Sequence, residues 1–527
     1  MLNNGSSTSA GVYGGTEDNS VRGVAVSSSI GAMVFPSHRG PVGVPTLAVD
    51  KKGFRKKFGN PDANLTYGHF CAEHFLEEAS QLYVTRVARN ALYGSVRVAT
   101  VNNYATIDQS VEGFADPEDY AFNEQDVLFV YGADPGKWNN DIRIVLYPDV
   151  SDSLGEKFVL EIYEGSSTVA SEVYRATLRD KLDGYGTQLN IETQLEEAKS
   201  IVRVRVNREH PKYLVNDGLR LVNSVITGDL TWGNDGDLTT IDDIIEGWDS
   251  FADVEEVTVT LLINAGYANP AVQLKMLDLA ETRGDAFAIL DLPSNSQATQ
   301  AAVAYRRNSL NANTSFGALY GPDLKILNDD NVSIWCPPSG FVAACYARTD
   351  RVAADWFAPA GVTRGKILAN GVRQVYKQGD RDVLDQNQIN FVRTMPSYGL
   401  VLWSQETLQA QASALSNIHV RRMLNSMMAS LKIAALAGVF EQNDKTLRLQ
   451  LTAIAEAILG PIKRGRGLYG YEIICNNSNN TPELEASGDV ILDVYVDPMM
   501  IAKRIHLNAI VPRTGQIQYA ITTTDRT

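Results

Sequence analysis

Residues 257–290 read VTVTLLINAGYANPAVQLKMLDLAETRGDAFAIL, and the change of period inside this stretch decides the fold. The apolar run at 257–263 reads as a buried strand. Val272, Met276, Leu279 and Ala280 then recur at helical spacing, and 286–290 is apolar again. The alternation continues downstream with a helix over 298–310 and strands at 316–320 and 332–336. Strands alternating with helices predict a mostly parallel sheet covered on both faces.

Upstream, residues 21–100 show the same texture. Residues 24–35 read as extended, Phe70, Cys71, Phe75 and Ala79 form a helical stripe, and 81–87 reads as a strand. The intervening loop holds His38-Arg39-Gly40-Pro41 and Phe58-Gly59-Asn60-Pro61, both strong turn punctuation. Between the two alternating segments lie short strands at 127–131, 142–147, 158–163 and 201–206, with helical periodicity nearly absent. The simplest joining makes 23–100 and 229–384 one α/β body, with 101–228 a β-rich domain inserted in it and lying outermost.

The last third changes character. Val420, Met423, Leu424, Met427, Met428, Leu431, Ala434 and Ala435 form a long amphipathic stripe, and Leu447, Leu451, Ile454, Ala455 and Ile458 a second. Strands follow at 471–475, 490–496 and 501–511, which predicts a C-terminal α+β domain over 385–512. The predicted fold class is therefore a multidomain α/β and α+β chain with terminal arms at 1–22 and 513–527.

Both arms carry strand signals. Ile517, Tyr519 and Ile521 alternate with Gln518, Ala520 and Thr522, the pattern of a half-buried strand. The Gly/Ser/Asn-rich lead contains Val12 and Tyr13 and runs into Val21 and Val24. A terminal strand with no partner in its own domain can add itself to a neighbour's sheet edge. These seven apolar residues are the predicted intersubunit strand arms.

Bulk properties narrow the function. The 527 residues suffice for about three or four domains, and 44% hydrophobic with 21% charged residues is ordinary globular composition. No apolar run reaches the ~18 residues of a membrane span, and the N-terminal segment lacks a secretory pattern, which predicts a soluble cytosolic chain without membrane insertion. A net charge of −15 argues against direct nucleic-acid binding. Four scattered cysteines do not make a disulfide framework; Cys71 and Cys475 read as small core residues.

Sites that could carry chemistry dissolve on inspection. Gly465-Arg466-Gly467-Leu468-Tyr469-Gly470 has dinucleotide spacing, but a helix precedes it and a strand follows, the reverse of the required order. His69, Glu73, His74 and Glu77 lack the spacing of a zinc helix, since residues five apart point about 140° away from each other. Asn234-Asp235-Gly236-Asp237, with Asp242 and Asp243, lacks a calcium loop's ligand pattern and reads as a turn before a helix. The expectation is no enzyme, no metal and no cofactor. The competing reading is a nucleotide-dependent enzyme using the carboxyl ends of the body's strands. Arg421, Arg422, Lys432, Lys463, Arg464 and Arg466 gather in the last third, either as solvated faces or as a dock for an acidic partner.

Several segments resemble the contractile tail sheath proteins of long-tailed phages and related injection machines. Gly31-Ala32-Met33-Val34-Phe35-Pro36-Ser37-His38-Arg39-Gly40-Pro41-Val42 is similar to the family's opening strand and Arg-Gly-Pro loop, and Phe54-Arg55-Lys56-Lys57-Phe58-Gly59 to its short helix. Cys336-Pro337-Pro338-Ser339-Gly340, with Tyr346-Ala347-Arg348-Thr349-Asp350-Arg351 and Trp356-Phe357-Ala358-Pro359-Ala360, resembles its central signature. Gln388-Ile389-Asn390-Phe391-Val392-Arg393, Leu402-Trp403-Ser404-Gln405-Glu406-Thr407-Leu408 and His419-Val420-Arg421-Arg422-Met423-Leu424-Asn425 follow in the family's order. The resemblance covers roughly 20–100 and 330–525, and Ala10-Gly11-Val12-Tyr13 stands where many members have Pro-Gly-Val-Tyr.

The resemblance implies a structural subunit that polymerises as stacked hexameric rings around a tail tube and contracts to drive the tube through a host envelope. It implies partners in other copies, the tube protein, and baseplate and terminator proteins, and a place in a virion tail assembled in host cytoplasm. It further implies that the basic residues at 421–432 and 463–466 face the tube.

Overall fold

The structure, a computed structural model, describes residues 29–101, 104–152, 156–214 and 225–504. It begins with β1 (Gly31–Phe35), β2 (Thr46–Ala48), α1 (Lys51–Phe58), α2 (Gly68–Phe75) and β3 (Leu82–Arg86). A long excursion follows through β4 (Ser95–Val101), β5 (Tyr104–Asp108), β6 (Asp126–Gly132), β7 (Ile142–Pro148), β8 (Phe158–Glu164), β9 (Glu172–Ala176), α3 (Ile191–Glu197), β10 (Val202–Val206), α4 (Pro211–Leu214) and β11 (Ile226–Asp229). Alternation resumes with α5 (Ile241–Asp249), β12 (Leu261–Ile263), α6 (Pro270–Arg283), β13 (Phe287–Asp291), α7 (Thr299–Ala304), β14 (Gly317–Gly321), β15 (Leu324–Leu327), β16 (Ser333–Cys336) and α8 (Ser339–Val352). Then come β17 (Lys366–Ile367), β18 (Gly371–Val372), α9 (Gln378–Gln386), β19 (Ile389–Met395) and β20 (Gly399–Leu402). The last elements are α10 (Ile418–Ala435), α11 (Lys445–Arg464), β21 (Leu468–Ile474), α12 (Pro482–Ser487) and β22 (Asp493–Pro498).

The body is a nine-stranded sheet in the order β17-β20-β19-β14-β13-β12-β1-β3-β2. Strands β19 to β3 of that order run parallel, while β2 pairs antiparallel with β3, β20 with β19, and β17 with β20. Both faces are buried, as near-continuous apolar strands require. Met33, Phe35, Leu261, Ile263, Phe287 and Ile289 pack with α1, α2 and α8 on one side. Ala32, Val34, Leu262, Ala288 and Leu290 pack with α5, α6 and α9 on the other. The edge strands β2 and β17 are only three and two residues long, which limits pairing with foreign strands.

Local signals explain the elements. Asn269 accepts from the Ala271 amide to open α6, Pro270 sits in its first turn, and Gly284 at φ 70° closes it. A Thr240–Asp243 capping box opens α5. Helices α2 and α8 approach so closely that a Cβ on Gly340 would lie 2.5 Å from Cys71 Cα, so only glycine fits there.

The excursion is a sandwich of two four-stranded antiparallel sheets, β10-β6-β4-β5 and β11-β7-β8-β9, sharing one core of Val96, Val130, Val204, Ile144, Phe158 and Leu160 among others. Helices α10 and α11 pack on each other and on the two-stranded sheet β21-β22.

The structure corrects several boundaries. Strand β4 pairs with β5 and β6, so 95–101 belong with the sandwich rather than with the body. Strands β19 and β20 complete the body's sheet, which therefore runs past the expected break at 384. Both errors have one cause: a strand's sequence shows its two faces but not its partners. The run at 257–263 is strand only from Leu261, and β1 begins at Gly31. The strand expected at 501–511 is absent over 501–504, and its remainder lies outside the described residues.

Candidate assembly interface

The C-terminal unit has a compact base. Met423, Met427 and Leu431 of α10 interlock with Ala455, Leu459 and Ile462 of α11, and Asp444 caps α11 by accepting from the Leu447 amide at 2.9 Å. Tyr471, Ile473, Val494 and Val496 lay one face of β21-β22 on this pair. The opposite face carries Glu472, Asp493, Asp497 and the exposed Tyr495. Two strands alone make a marginal sheet. Among the described residues neither outer edge of β21-β22 carries a third strand, so a row of backbone donors and acceptors is open on each side.

Near the two ends of the described chain, Met499 contacts α10 directly and Ser29 is linked to it through Asp350 of α8. At the N-terminal end, the Ser29 hydroxyl donates to Asp350 Oδ2 at 2.6 Å, and that oxygen also receives Arg422 of α10 at 2.5 Å. At the C-terminal end, His419 of α10 lies 3.3 Å from the Met499 carbonyl through Nε2, and the Met499 amide donates to Gly467 O at 2.9 Å. His419 and Arg422 are three residues apart and lie on one side of α10. The predicted arm residues Val12, Tyr13, Val21, Val24, Ile517, Tyr519 and Ile521 lie outside the described residues.

The predicted basic group splits. Lys432, Lys463, Arg464 and Arg466 are exposed, and the last three ring the turn between α11 and β21. That turn is held from the body by Trp356, whose indole N–H donates to Gly465 O at 2.8 Å. Arg422 is different: it is 4% exposed, paired with Asp350, and its guanidinium lies 4.6 Å over the Tyr346 ring. Arg421 is half-buried, with its guanidinium 4.2 Å over Phe316. Both tie α10 to the body, and Arg422 offers no charge to a partner. Sequence could not separate them, because at 3.6 residues per turn adjacent arginines on an amphipathic helix can flank either face.

The other candidate residues are engaged inside the protomer. His69 is buried between Phe35 and Phe54, its Nε2 is 3.2 Å from the Phe58 carbonyl, and burial pulls its imidazole down to about 4. Glu73 takes a two-point contact from Arg55 at 2.5 and 2.8 Å. His74 lies 3.5 Å from Glu77. Among the described residues no group of three His, Cys, Asp or Glu side chains is arranged to hold a metal ion. Gly465 closes α11, and β21 starts at Leu468, so the glycine motif spans a helix-to-strand turn.

At the carboxyl ends of β12 and β13, a place where an α/β enzyme would take its ligand, the polar side chains are engaged by the chain itself. Asp291 at the end of β13 accepts from the Ser339 amide at 2.8 Å, the Ser339 hydroxyl at 2.7 Å and the Gly266 amide at 3.0 Å. Its oxygens thus cap α8, and burial pushes its carboxyl up to about 7. Asn264 after β12 accepts from Gln273 and from the Asp291 amide.

Sequence reasoning also passed over His38, Arg86, Asp350 and Trp356 as individual residues. The only signal was that they sit in punctuated or signature segments; their partners are 24 to 321 residues away in the chain.

No family model matches the chain. Over 430 residues it is 26% identical to the tail sheath protein of Enterobacteria phage T4, covering 72% of this chain. Over 226 residues it is 30% identical to the tail sheath protein of Vibrio phage KVP40, covering 42% of this chain. These matches span 64% and 32% of those relatives' lengths, less than two thirds of either. In fold the chain is similar to a sheath tail protein from Listeria innocua, with a TM-score of 0.58 at 11% identity and 90% and 96% of the two chains covered. It is also similar to the helical sheath of the anti-feeding prophage in its contracted state, with a TM-score of 0.53 at 15% identity and 96% and 99% covered. In sequence the chain is thus similar to tail sheath proteins of phages, and in fold to sheath proteins of contractile systems.

Proposed function

We propose that this chain is the repeating subunit of a contractile sheath, a structural protein rather than an enzyme. Copies assemble as stacked hexameric rings around a tail tube, and contraction drives that tube through a host envelope. The observation that carries the reading is the unfinished sheet β21-β22, which has no third strand on either edge among the described residues. The arm segments around Val12–Val24 and Ile517–Ile521 supply the missing strands to neighbouring copies.

A contact in which one surface binds a different surface on the next copy does not close on itself in a pair, and its repetition builds rings and helices. Strand exchange suits contraction because its backbone hydrogen bonds survive while the bodies rotate as rigid units. The work comes from surface buried between subunits on contraction, at about 25 cal/mol per Å² of apolar area as an upper scale. No nucleotide is required.

Lys432, Lys463, Arg464 and Arg466 face an acidic tube surface in this reading, while the sandwich of β4 to β11 lies outermost and is dispensable for the lattice. Baseplate and terminator proteins cap the two ends, and the assembled protein resides in the tail of a virion or phage-like injection machine. The test is deletion of 514–527. The truncated chain is expected to stay folded and monomeric by sedimentation, with no tubes in negative-stain microscopy. Normal sheaths from it would remove the proposal.

A further inference from the structure

We infer that His38 is a protonation-dependent latch that fixes the attitude of the inserted sandwich on the α/β body. Its Nδ1 lies 3.1 Å from Asp235 Oδ2 and its Nε2 3.3 Å from Asp62 Oδ2. Only the imidazolium donates from both nitrogens; the neutral ring must turn a lone pair toward one of the two carboxylates. The three residues belong to three segments: the loop after β1, the loop before α2, and the strand returning from the sandwich.

That returning strand is the neck of the sandwich. Leu92 donates to Asn234 O and Ser95 to Thr231 O, each at 2.9 Å, so 92–95 and 231–234 form a paired ribbon. The ribbon is rigidly joined to the sandwich through the buried Asn139, whose side-chain atoms would lie within 3.0 Å of a Cβ on Gly94, Gly132 or Gly233. Asp235 extends the grip, since its Oδ1 accepts from the Lys137 amide at 2.7 Å. The sandwich therefore moves as one piece with its neck, and the His38–Gly40 loop is where the body grips it. Arg39 of that loop pairs with Glu164 at 3.1 Å and lies over Trp138, while Arg86 donates to both Gly40 O and Pro135 O.

Other charged groups face the same junction as His38. Arg39, Arg86 and Lys57 are the nearby cations, and Asp62 and Asp235 are held below the usual carboxylate range, Asp62 by the Asn64 amide and Asp235, against the opposing effect of burial, by His38. The Asp134 carboxyl is pushed up by burial. His69 is held neutral by burial. The Asp235 hydrogen bond first, and then Asp62, raise the His38 imidazole above its ordinary 6.5. A raised folded value means that the latch is fully engaged below 6.5 and released as pH climbs through the folded midpoint.

The test uses the full chain with selectively ¹³C-labelled histidine, of which the sequence has six. The resonance missing in His38→Gln should titrate above 6.5 in the wild type. Amide exchange of peptides around 134–138 and 231–237, corrected for intrinsic rate, should become roughly fivefold faster above that midpoint. His38→Gln should show the faster rate at every pH. Asp62→Asn, at a partly exposed carboxylate, supplies a second reading should His38→Gln not fold: the midpoint must fall. A His38 midpoint at or below 6.5, or identical pH responses in wild type and variant, would overturn the inference.

Discussion

Replacing Arg422 with Met probes the joint between the body and the C-terminal unit. Arg422 Nη2 lies 2.5 Å from Asp350 Oδ2, with the two side chains 3% and 8% exposed, and Asp355 is also buried nearby with its own bond from Ser426. Methionine fills most of the volume but removes the guanidinium contact from the buried Asp350. Removing one partner of a buried ion pair costs about 3–5 kcal/mol. At about 2 °C per kcal/mol for a large cooperative unit, the melting midpoint falls by roughly 6–10 °C. Removing both charges in Arg422→Met with Asp350→Leu recovers most of that loss, since an apolar pair of similar volume is tolerated. Urea titration of the isolated subunit measures all three variants and yields the coupling from the double-mutant cycle. A single substitution costing under about 1 kcal/mol, or a double variant as costly as the sum of both singles, would refute the placement of Arg422 inside the joint.

Three further predictions follow the same logic. Reversing Lys463, Arg464 and Arg466 to Glu leaves the urea midpoint within about 0.5 kcal/mol, as surface changes do, yet lowers co-sedimentation with tube protein. His69→Gln removes an acid-sensitive group: the folded imidazole sits near about 4, so wild-type stability falls as pH drops from 6.5 toward 4, by up to roughly 3 kcal/mol. The variant, which keeps a donor for the Phe58 carbonyl, loses that part of the acid limb when denaturation is followed against pH. Gly340→Ala forces a methyl against the α2 backbone and costs about 1–3 kcal/mol in the same urea assay.

Much of the body was legible because parallel strands buried on both faces are apolar throughout, and the helices between them carry stripes at helical spacing. Val272, Met276 and Ala280 all point into the core as the spacing predicted. What sequence could not show was pairing. The β4 strand reads the same whether it joins β3 or β6, and β19 reads the same in either domain. The interface was half legible. The exposed turn at Lys463, Arg464 and Arg466 follows from glycine punctuation at 465 and 467, whereas Arg422 sits one residue along α10 from the half-exposed Arg421 and pairs across 72 residues of chain. The His38 bridge depends on Asp62 and Asp235, 24 and 197 residues away, and no local pattern signals such a meeting.

Cryo-electron microscopy of the polymer formed by the purified full-length chain bears most directly on the idea that each subunit borrows backbone from its siblings. The prediction is a helical tube in which the free edges of β21-β22 are occupied by strands traced to the termini of adjacent copies. Density showing both termini paired within their own subunit, or a protein that stays monomeric at every concentration, would contradict it.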